Sequence, residues 1–311
     1  GPATETELAQ LHKDARVLAR KLLAAGWVRK AAPELRRPAF VAAHALTPEQ
    51  ANAVAAVRSC SGFRAFLLYG ITGSGKTEVY LHAIAQALER GKQALVLVPE
   101  IALTPALEAA FRSRFPGARI IVQHSAMPDL ERTRGFLDAQ IGDADIVLGT
   151  RLTVFVPLPR LGLMVIDEEQ DGSFKQRESL RYSARDVGIF RAREAGVPVV
   201  LCSATPSLET WYHAISGRYT LLPLLQRAPA GADLPSVRLI DTAVHAARDG
   251  IADPLAQAIT ERLARGEQTL VFLNRRGYAP VLSCAQCGWV SGCPRCSARL
   301  VVHLRARHLR C

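Results

Sequence analysis

A glycine-rich segment that ends in lysine and threonine carries the clearest chemical information in the chain. It consists of Gly70, Ile71, Thr72, Gly73, Ser74, Gly75, Lys76 and Thr77. It follows the apolar run 66–69 and precedes a helix-like stretch, 78–88. Glycines let the backbone approach phosphates, whose charge is offset by backbone N–H groups and a helix N-terminus. We expect Lys76 to reach the β- and γ-phosphates of a nucleoside triphosphate and the Thr77 hydroxyl to bind Mg²⁺.

A second segment supplies the carboxylates that such a site needs. The apolar run 163–166 is followed by Asp167, Glu168, Glu169 and Gln170. A short apolar run is typical of a buried parallel strand, and open α/β sheets bind ligands at the carboxyl ends of their strands. We expect Asp167 to hold Mg²⁺ through water and Glu168 to orient or deprotonate the attacking water. Either segment alone could be an ordinary turn, but the two in this order predict an ATP site.

The composition favours a large globular protein with polyanionic partners. The chain has 311 residues, 49% of them hydrophobic, which is enough for two domains with real cores. Its 39 basic and 28 acidic residues give a net charge of +11, which favours association with polyanions. No apolar run approaches the length of a membrane span, and no signal peptide is present. We therefore expect a cytoplasmic, nucleoid-associated monomer that does not contact membranes.

Alternating strand and helix patterns predict an α/β fold with a parallel sheet. Strands are predicted at 66–69, 94–98, 119–122, 145–148, 163–166 and 198–201, and helices at 48–57, 78–90 and 105–115. A helix over 5–30 and short β segments over 27–41 suit the end of a small helix-and-wing module. The Pro-, Gly- and Ala-rich stretch 221–235 is predicted to be a linker, followed by a helix at 253–265 and a strand at 268–273. The predicted domains are 1–46, 47–226, 227–283 and 284–311.

Three further segments follow predicted strands and should lie at the same edge of the sheet as the ATP site. They are 98–105 (VPEIALTP), 149–151 (GTR) and 203–206 (SATP). Hydroxyls, backbone amides and Arg151 at this edge suit a grip on a phosphodiester backbone that does not read bases. The hydroxyls of Ser203 and Thr205 are placed to connect that grip to the γ-phosphate.

Five of the seven cysteines lie close together at the end of the sequence. These five are Cys284, Cys287, Cys293, Cys296 and Cys311. Paired thiols in a cytoplasmic chain indicate zinc rather than disulfides, and the nearby glycines and proline suit tight knuckles. One arrangement is a single site made by the first four cysteines. We expect Cys60 and Cys202 to be buried and His303 and His308 to be surface residues that do not bind metal.

The order of these motifs resembles that of superfamily 2 helicases and, more narrowly, the PriA family of bacterial primosome-assembly helicases. The motifs are LTPEQ, GITGSGKTEVY, VPEIALTP, GTR, DEEQD, SATP, FLNRRG and the cysteine cluster. The resemblance runs from about residue 8 to the last residue. It implies a RecA-like P-loop helicase lobe, preceded by a partial winged-helix domain and followed by the start of a second lobe and a partial zinc-binding insertion. It also implies a 3′ to 5′ ATP-dependent DNA helicase that remodels stalled replication forks and initiates primosome assembly.

The resemblance assigns roles at the nucleotide site residue by residue. Lys76, Asp167 and Glu168 would be catalytic, and Gln50 would help to recognise adenine. The implied cofactor-binding set is Gln50, residues 70–77, Asp167, Glu168, Glu169 and Gln170. The family usually has histidine where this chain has Gln170. An amide still forms hydrogen bonds but does not titrate, so the coupling between DNA and hydrolysis is expected to differ.

The stretch 171–186 resembles the family's aromatic-rich loop, which senses single-stranded DNA and signals to the ATP site. Aromatic side chains interleaved with cations suit base stacking combined with phosphate contact. The implied DNA contacts are Arg151, Phe174, Lys175, Arg181, Tyr182 and Arg185. The family often has tryptophan where this chain has Leu180, so one stacking platform is expected to be missing. The alternative is that Phe174 and Tyr182 are core residues beside a charged face.

For the cysteines, the resemblance implies two interleaved four-cysteine zinc sites in the full-length protein, some of whose ligands are expected outside this sequence. Cys293, Cys296 and Cys311 would belong to one site, and Cys284 and Cys287 to the other. Forked DNA, primosome proteins and single-stranded-DNA-binding protein are the implied partners.

The chain also departs from what a complete motor of this family would show. No segment after Arg276 supplies the arginine-bearing motifs by which a second lobe completes ATP hydrolysis. We therefore expect the chain to be truncated and to hydrolyse little ATP alone. Two other function classes remain open: a P-loop ATPase switch that does not translocate, and a zinc-dependent module that binds DNA or protein.

Overall fold

The computed structural model divides the chain into two compact units, Gly1–Ala232 and Asp233–Cys311. The residues that it describes are 14–28, 37–103, 105–178, 180–227, 236–245, 247–248, 250–272, 281–284, 286–303 and 307–311. The predicted elements in 1–13 and the predicted FLNRRG segment beyond residue 272 lie outside these ranges. None of the helices in the described part has both the length and the apolar character that a membrane crossing requires.

A parallel sheet of seven strands forms the centre of the first unit. The strands of this unit are β1 (Ala65–Gly70), β2 (Gln93–Leu97), β3 (Ile120–Gln123), β4 (Ile146–Gly149), β5 (Leu161–Ile166), β6 (Lys175–Gln176), β7 (Tyr182–Ser183), β8 (Val199–Ser203) and β9 (Thr220–Leu224). The sheet has the order β3-β4-β2-β5-β8-β1-β9, and every neighbouring pair in it is parallel. The short strands β6 and β7 form a separate antiparallel hairpin. The predicted α/β fold with a parallel sheet is confirmed.

Helices connect these strands. They are α1 (Ala15–Ala24), α2 (Pro48–Arg58), α3 (Lys76–Glu89), α4 (Pro105–Arg114), α5 (Asp129–Gln140), α6 (Ala184–Glu194) and α7 (Leu208–Ile215). Short 3₁₀ turns occupy Glu100–Ala102, Arg151–Phe155 and Gly172–Phe174. The helices predicted at 48–57, 78–90 and 105–115 lie within one or two residues of those observed.

Two hydrophobic clusters pack on opposite faces of the sheet. Successive side chains of a strand point to opposite faces. Accordingly, Phe66 and Leu68 belong to one cluster, whereas Ala65 and Leu67 belong to the other. All four are at most 3% exposed. Burial on both faces explains why these strands are almost continuously apolar rather than alternating.

Neighbouring strands bring the chemical residues together. β8 lies between β5 and β1, with Ile166 beside Leu201 and Tyr69 beside Ser203. The glycine-rich loop after β1, the acidic residues after β5 and the SATP segment after β8 therefore leave the sheet at one edge.

Arg114 holds the segment that enters the lobe against the first turn of α3. Its guanidinium donates to both carboxylate oxygens of Glu78, at 2.7 and 2.5 Å. It also lies 5.0 Å from the centre of the Phe40 ring, and its carbonyl accepts from the Val41 N–H at 2.9 Å. The hydrogen bonds from Arg114 lower the pKa of Glu78, although burial of that carboxyl opposes the effect. Residues 40–41 are thereby connected to the helix that follows the glycine-rich loop.

The second unit contains one helix and two small hairpins among its described residues. They are α8 (Asp253–Ala264), the pair β10 (Ala247–Arg248) with β11 (Ile251–Ala252), and the pair β12 (Val301–His303) with β13 (His308–Arg310). Single β-bridges join Ser283 to Val290 and Gly292 to Arg299. Each bridge closes a turn that carries two cysteines.

The structure corrects the predicted start of the linker. Residues 221–224 belong to β9, which pairs with β1 at the edge of the sheet. Leu222 and Leu224 are buried, whereas Pro223 between them is exposed. Proline is tolerated in an edge strand, where the missing N–H faces solvent. The proline therefore indicated an edge strand rather than a linker.

Other predicted β segments are absent from the described residues. No strand forms over 268–272, 27–28 or 37–41. Conversely, helices α5, α6 and α7 were not predicted. The α5 and α6 sequences are rich in charged residues, and few of their side chains are buried, so their apolar periodicity is weak.

Close packing at the end of β4 predicts that Gly149→Ala destabilises the first unit. A methyl group at Gly149 would overlap the Gln123 carbonyl oxygen and the Thr153 hydroxyl. Because a carbonyl oxygen cannot rotate away, we expect a loss of about 2 kcal/mol in the free energy of unfolding, measured with urea. The control is Gly172→Ala, where a methyl group meets open space and the change should stay within about 0.5 kcal/mol. Equal stability of the two variants would contradict this account.

Candidate nucleotide-binding site

The glycine-rich loop has the backbone conformation that a phosphate cradle needs. Gly73 and Gly75 have φ angles of 82° and 78°, in the left-handed region that favours glycine. Helix α3 begins directly afterwards at Lys76, so its N-terminal N–H groups face the loop. A methyl group at Gly70 would overlap the Ser74 hydroxyl. The loop therefore requires glycine at each of these three positions.

Two polar groups within the loop are available to phosphates. The Lys76 ammonium donates to the Gly70 carbonyl at 2.8 Å, so the charge lies over the loop itself. The Ser74 side chain is buried, and its hydroxyl makes no hydrogen bond to the described residues. A buried polar group without a partner costs free energy unless a ligand supplies one. Both groups fit a triphosphate.

The Gln50 side chain forms a hydrogen bond with the glycine-rich loop. Thr47 and Gln50 form a reciprocal capping box at the start of α2. The Gln50 side-chain oxygen accepts from the Thr47 N–H at 2.9 Å, and its nitrogen donates to the Ser74 carbonyl at 2.8 Å. Both ends of the amide thus contact protein. Recognition of adenine by Gln50 stays a prediction, and the observed contacts position the glycine-rich loop.

Asp167 lies at the end of β5, facing α3. Its carboxylate accepts from the Tyr80 hydroxyl at 3.2 Å and from the Glu168 N–H at 3.0 Å. Burial raises the pKa of Asp167, and the neighbouring charge of Glu168 raises it further. A carboxylate that is costly to ionise gains free energy when a cation binds beside it, which suits the expected role in holding Mg²⁺.

A chain of hydrogen bonds connects Glu168 to the SATP segment. The Gln170 amide donates to the Glu168 carboxylate at 2.8 Å and accepts from the Ser203 hydroxyl at 2.6 Å. The Ser203 oxygen also accepts from the Thr205 N–H at 2.9 Å. Glu168 has a φ of 47°, which is uncommon for a residue with a side chain. The residue predicted to activate water is therefore strained and is held by the segment after β8.

Glu169 does not belong to the nucleotide site, and its predicted cofactor-binding role is corrected. It is 2% exposed, and its carboxylate contacts Arg185, Ser207 and Thr210 instead of the loop.

Comparison with known proteins decides the family. The model of the DEAD/DEAH box helicase family matches residues 47–213, which include the glycine-rich loop, the acidic segment and the SATP segment. The chain belongs to the DEAD/DEAH box helicase family. The match covers the whole central sheet of this helicase except its edge strand β9.

Curated relatives are replication restart proteins named PriA. The chain is 42% identical over 266 residues to the protein from Haemophilus influenzae, covering 86% of this chain and 36% of the relative. It is 39% identical over 272 residues to the protein from Bacillus subtilis, covering 86% of this chain and 34% of the relative. This helicase chain thus spans about a third of the length of the curated relatives that it matches.

Among solved structures, RecG bound to a three-way DNA junction matches with a TM-score of 0.45 and 22% identity, over 70% of this chain and 26% of that chain. The family assignment depends on the sequence matches and not on this likeness.

The structure corrects two of the predicted DNA contacts of this helicase. Phe174 is 2% exposed and packs in the second hydrophobic cluster, so its ring faces are covered. The Arg185 guanidinium is held by Glu169, Ser207 and Asp186, at 3.1, 2.6 and 2.8 Å. The alternative that Phe174 is a core residue is therefore the correct one, and Arg185 has a role inside the protein.

The remaining predicted contacts lie around the β6–β7 hairpin. Arg151 donates to the carbonyls of Ser173 and Lys175, at 3.1 and 3.3 Å, so it holds the hairpin rather than facing outward. The Tyr182 ring is partly buried, with its centre 5.0 Å from that of Phe155. Lys175 and Arg181 are exposed. These two cations remain the predicted contacts with a phosphodiester backbone.

Tyr80, Ser207 and Thr210 were not found by sequence reasoning. Tyr80 lies one helical turn after Lys76, a spacing that places it on the same side of α3. Ser207 caps α7 and accepts from the Thr210 N–H. A serine directly before a helical segment indicates an N-cap, but it does not reveal the buried acid that contacts it.

Three cysteines of the second unit converge. The sulfur atoms of Cys293, Cys296 and Cys311 all lie within 4.8 Å of one another, and Cys284 and Cys287 are not part of this group. The backbone N–H of Arg295 donates to the Cys293 sulfur and lowers the pKa of that thiol. Hydrogen bonds to Cys296 and Cys293 raise the pKa of Cys311 to about 11. Three convergent thiols fit a soft divalent metal, which displaces their protons on binding.

The raised pKa of the partly buried Asp167 predicts that Asp167→Asn stabilises the fold. A pKa raised in the folded state means that stability is lost as pH rises through that pKa. Asparagine removes this loss, so without Mg²⁺ the melting temperature should increase by about 3 °C at pH 8, and by less at pH 5. Thermal melting measures both values.

Asp145→Asn is the matched control for this prediction. Asp145 is a buried aspartate, 2% exposed, that lies at the opposite end of the strands and accepts from the Arg119 N–H at 2.8 Å. We expect no stabilisation from this substitution. A lower melting temperature of Asp167→Asn at pH 8 would contradict the account of the site.

Proposed function

We propose that this chain contains the ATP-binding lobe of a 3′ to 5′ DNA helicase that remodels stalled replication forks and initiates primosome assembly. The observation that carries the proposal is the convergence of Lys76, Asp167 and Glu168 at the ends of strands β1 and β5, with β8 between them. The identity of about 40% to proteins named replication restart protein PriA supports the fork as substrate. Primosome proteins and single-stranded-DNA-binding protein would be its partners, and its site of action would be in the cytoplasm at the nucleoid.

The residues of the glycine-rich loop and those that follow β5 would have different roles in ATP hydrolysis. The backbone N–H groups of the loop and the Lys76 ammonium neutralise phosphate charge. Thr77 and Asp167 would hold Mg²⁺, which offsets charge on the β- and γ-phosphates when bound. Glu168 orients the attacking water and accepts its proton. Gln170 fixes the direction of the Glu168 carboxylate through its 2.8 Å hydrogen bond.

DNA would bind at the same edge of the sheet, along the outer side of the β6–β7 hairpin. Lys175 and Arg181 are exposed there, and the net charge of +11 favours binding of a polyanion. Arg151 supports this surface by fixing the carbonyls at the base of the hairpin. Such contacts recognise the backbone and not the sequence of the DNA.

We further propose that the cysteines of the second unit supply ligands to two Zn²⁺ sites of the full-length protein. Cys293, Cys296 and Cys311 would bind one ion, because their sulfur atoms already converge. Cys284 and Cys287 would bind a second ion. The turn that carries Cys284 and Cys287 is closed by the same kind of hydrogen bond as the turn that carries Cys293 and Cys296. The Cys284 N–H donates to the Trp289 carbonyl at 2.8 Å, and the Cys293 N–H donates to the Ala298 carbonyl at 2.9 Å.

Loss of the Lys76 charge should weaken nucleotide binding. We expect Lys76→Ala to raise the dissociation constant of a fluorescent ATP analogue with Mg²⁺ at least tenfold, about 1.4 kcal/mol. The control is Lys92→Ala, which removes an exposed lysine at the opposite end of β2 and should leave the affinity unchanged. Equal affinities of the two variants would contradict the assigned site.

Single-stranded DNA distinguishes a helicase lobe from a P-loop switch. A helicase lobe should bind an oligothymidylate with an affinity that decreases as salt increases. The double substitution Lys175→Ala with Arg181→Ala should weaken this binding and reduce its dependence on salt. Arg112→Ala is the control, since Arg112 is an exposed arginine that pairs with Glu108 on α4. Undetectable DNA binding by the unaltered chain at low salt would favour the switch.

The zinc content of variants tests the arrangement of the cysteines. In the full-length protein we expect two zinc ions, and we expect Cys296→Ser and Cys287→Ser each to lose a different one. Cys60→Ser, in the first unit, should keep both. Metal analysis after removal of loosely bound ions measures the content. A content of one ion that either substitution abolishes would instead support the single site made by Cys284, Cys287, Cys293 and Cys296.

A further inference from the structure

The Glu169 carboxylate is the most completely enclosed charge at the active edge of the sheet. Its side chain is 0% exposed. One oxygen accepts from the Ser207 N–H at 2.7 Å, and the other accepts from the Thr210 hydroxyl at 2.9 Å and the Ser207 hydroxyl at 3.2 Å. The Arg185 guanidinium completes the set at 3.1 Å. A buried charge is maintained only where partners of this quality surround it.

The partners of Glu169 come from two different elements. Ser207 and Thr210 begin helix α7, which follows the SATP segment. Arg185 lies in the first turn of α6, directly after the β6–β7 hairpin. It also donates to the Ser207 hydroxyl at 2.6 Å. The carboxylate therefore connects the start of α6, which follows the β6–β7 hairpin, to the start of α7, which follows the SATP segment.

The sequence neighbours of Glu169 both belong to the nucleotide site. Glu168 precedes it with the uncommon φ of 47°, and Gln170 follows it and contacts both Glu168 and Ser203. The Glu169 N–H donates to the Cys202 carbonyl of β8 at 3.1 Å. A displacement of the Glu169 side chain would consequently move the backbone that sets the direction of Glu168.

We propose that Glu169 is a positioning residue that couples the β6–β7 hairpin to Glu168 through its contact with Arg185. In this arrangement, a change in the hairpin on contact with single-stranded DNA moves Arg185. Glu169 then transmits the movement to the acidic segment and to the SATP segment at once. The inference rests on the proposed function, because it assigns a route between the two ligands that the function requires.

Linkage between the two ligands tests the proposal. The affinity of the chain for a slowly hydrolysed ATP analogue with Mg²⁺ is measured with and without saturating oligothymidylate. We expect DNA to change this affinity by about fivefold or more in the unaltered chain, the usual range for coupled sites. Glu169→Gln keeps the size of the side chain and removes its charge, and it should bring the ratio close to one. Arg185→Gln should do the same and leaves the hydrogen bonds from Ser207 and Thr210 to Glu169 in place.

Asp186→Asn is the matched control. Asp186 accepts from the other side of the Arg185 guanidinium at 2.8 Å, but its side chain is 60% exposed, and its loss leaves the contact with Glu169 intact. We expect this variant to keep the full ratio. If Glu169 and Arg185 act through one contact, the double variant should show the ratio of either single variant and no further loss.

The outcomes separate this inference from the proposed function. Coupling that persists in folded Glu169→Gln or Arg185→Gln, as judged by thermal melting, overturns the inference and leaves the proposed function standing. Binding of both ligands by the unaltered chain without any coupling overturns it as well. Failure of the unaltered chain to bind either ligand contradicts the proposed function itself. Loss of coupling in both single variants, with retention in Asp186→Asn, supports the inference.

Discussion

The parallel pairing of β5, β8 and β1 is the constraint on which the rest of this structure depends. Parallel strands all end at the same edge of a sheet, so every loop that follows one of them emerges there. In this protein the three central strands are followed by the acidic segment, the SATP segment and the glycine-rich loop. Because each strand is buried on both faces, its register cannot slip without exposing apolar side chains. The relative positions of the chemical groups are therefore set by the core.

Three consecutive acidic residues after β5 have three different environments. Asp167 is partly buried beside α3 and is costly to ionise, which suits binding of a cation. Glu168 is strained and is oriented by an amide. Glu169 is enclosed by donors from two helices. One short segment thus supplies the proposed metal ligand, the proposed base and a structural connection, because the backbone turns as it leaves the sheet.

The nucleotide site could be predicted from sequence because its chemistry depends on local patterns. Glycines, a lysine and a threonine in fixed order, and carboxylates after an apolar run, specify both the strands and their ends. The hairpin region could not be predicted in the same way. Phe174 and Tyr182 have the composition of a stacking surface, yet Phe174 packs in the core. Sequence composition does not tell which face of an aromatic ring is covered.

Long-range contacts were the other limit of prediction. The partners of Glu169 lie at positions 185, 207 and 210, and no spacing along the chain relates them. The edge strand β9 was missed because Pro223 resembled a linker residue, whereas its exposure at the sheet edge makes it compatible with a strand. Patterns within one element are visible in sequence, but the meeting of distant elements is visible only in the fold.

The clamp of Arg114 on Glu78 and Phe40 has a mechanical consequence. Glu78 lies two residues after Lys76, and residues 40–41 are fixed to the same point by ring and backbone contacts. The segment that leads into the lobe is thus fixed to Arg114 at residues 40–41. A force applied along residues 37–41 would be transmitted through Arg114 to the first turn of the phosphate-binding helix.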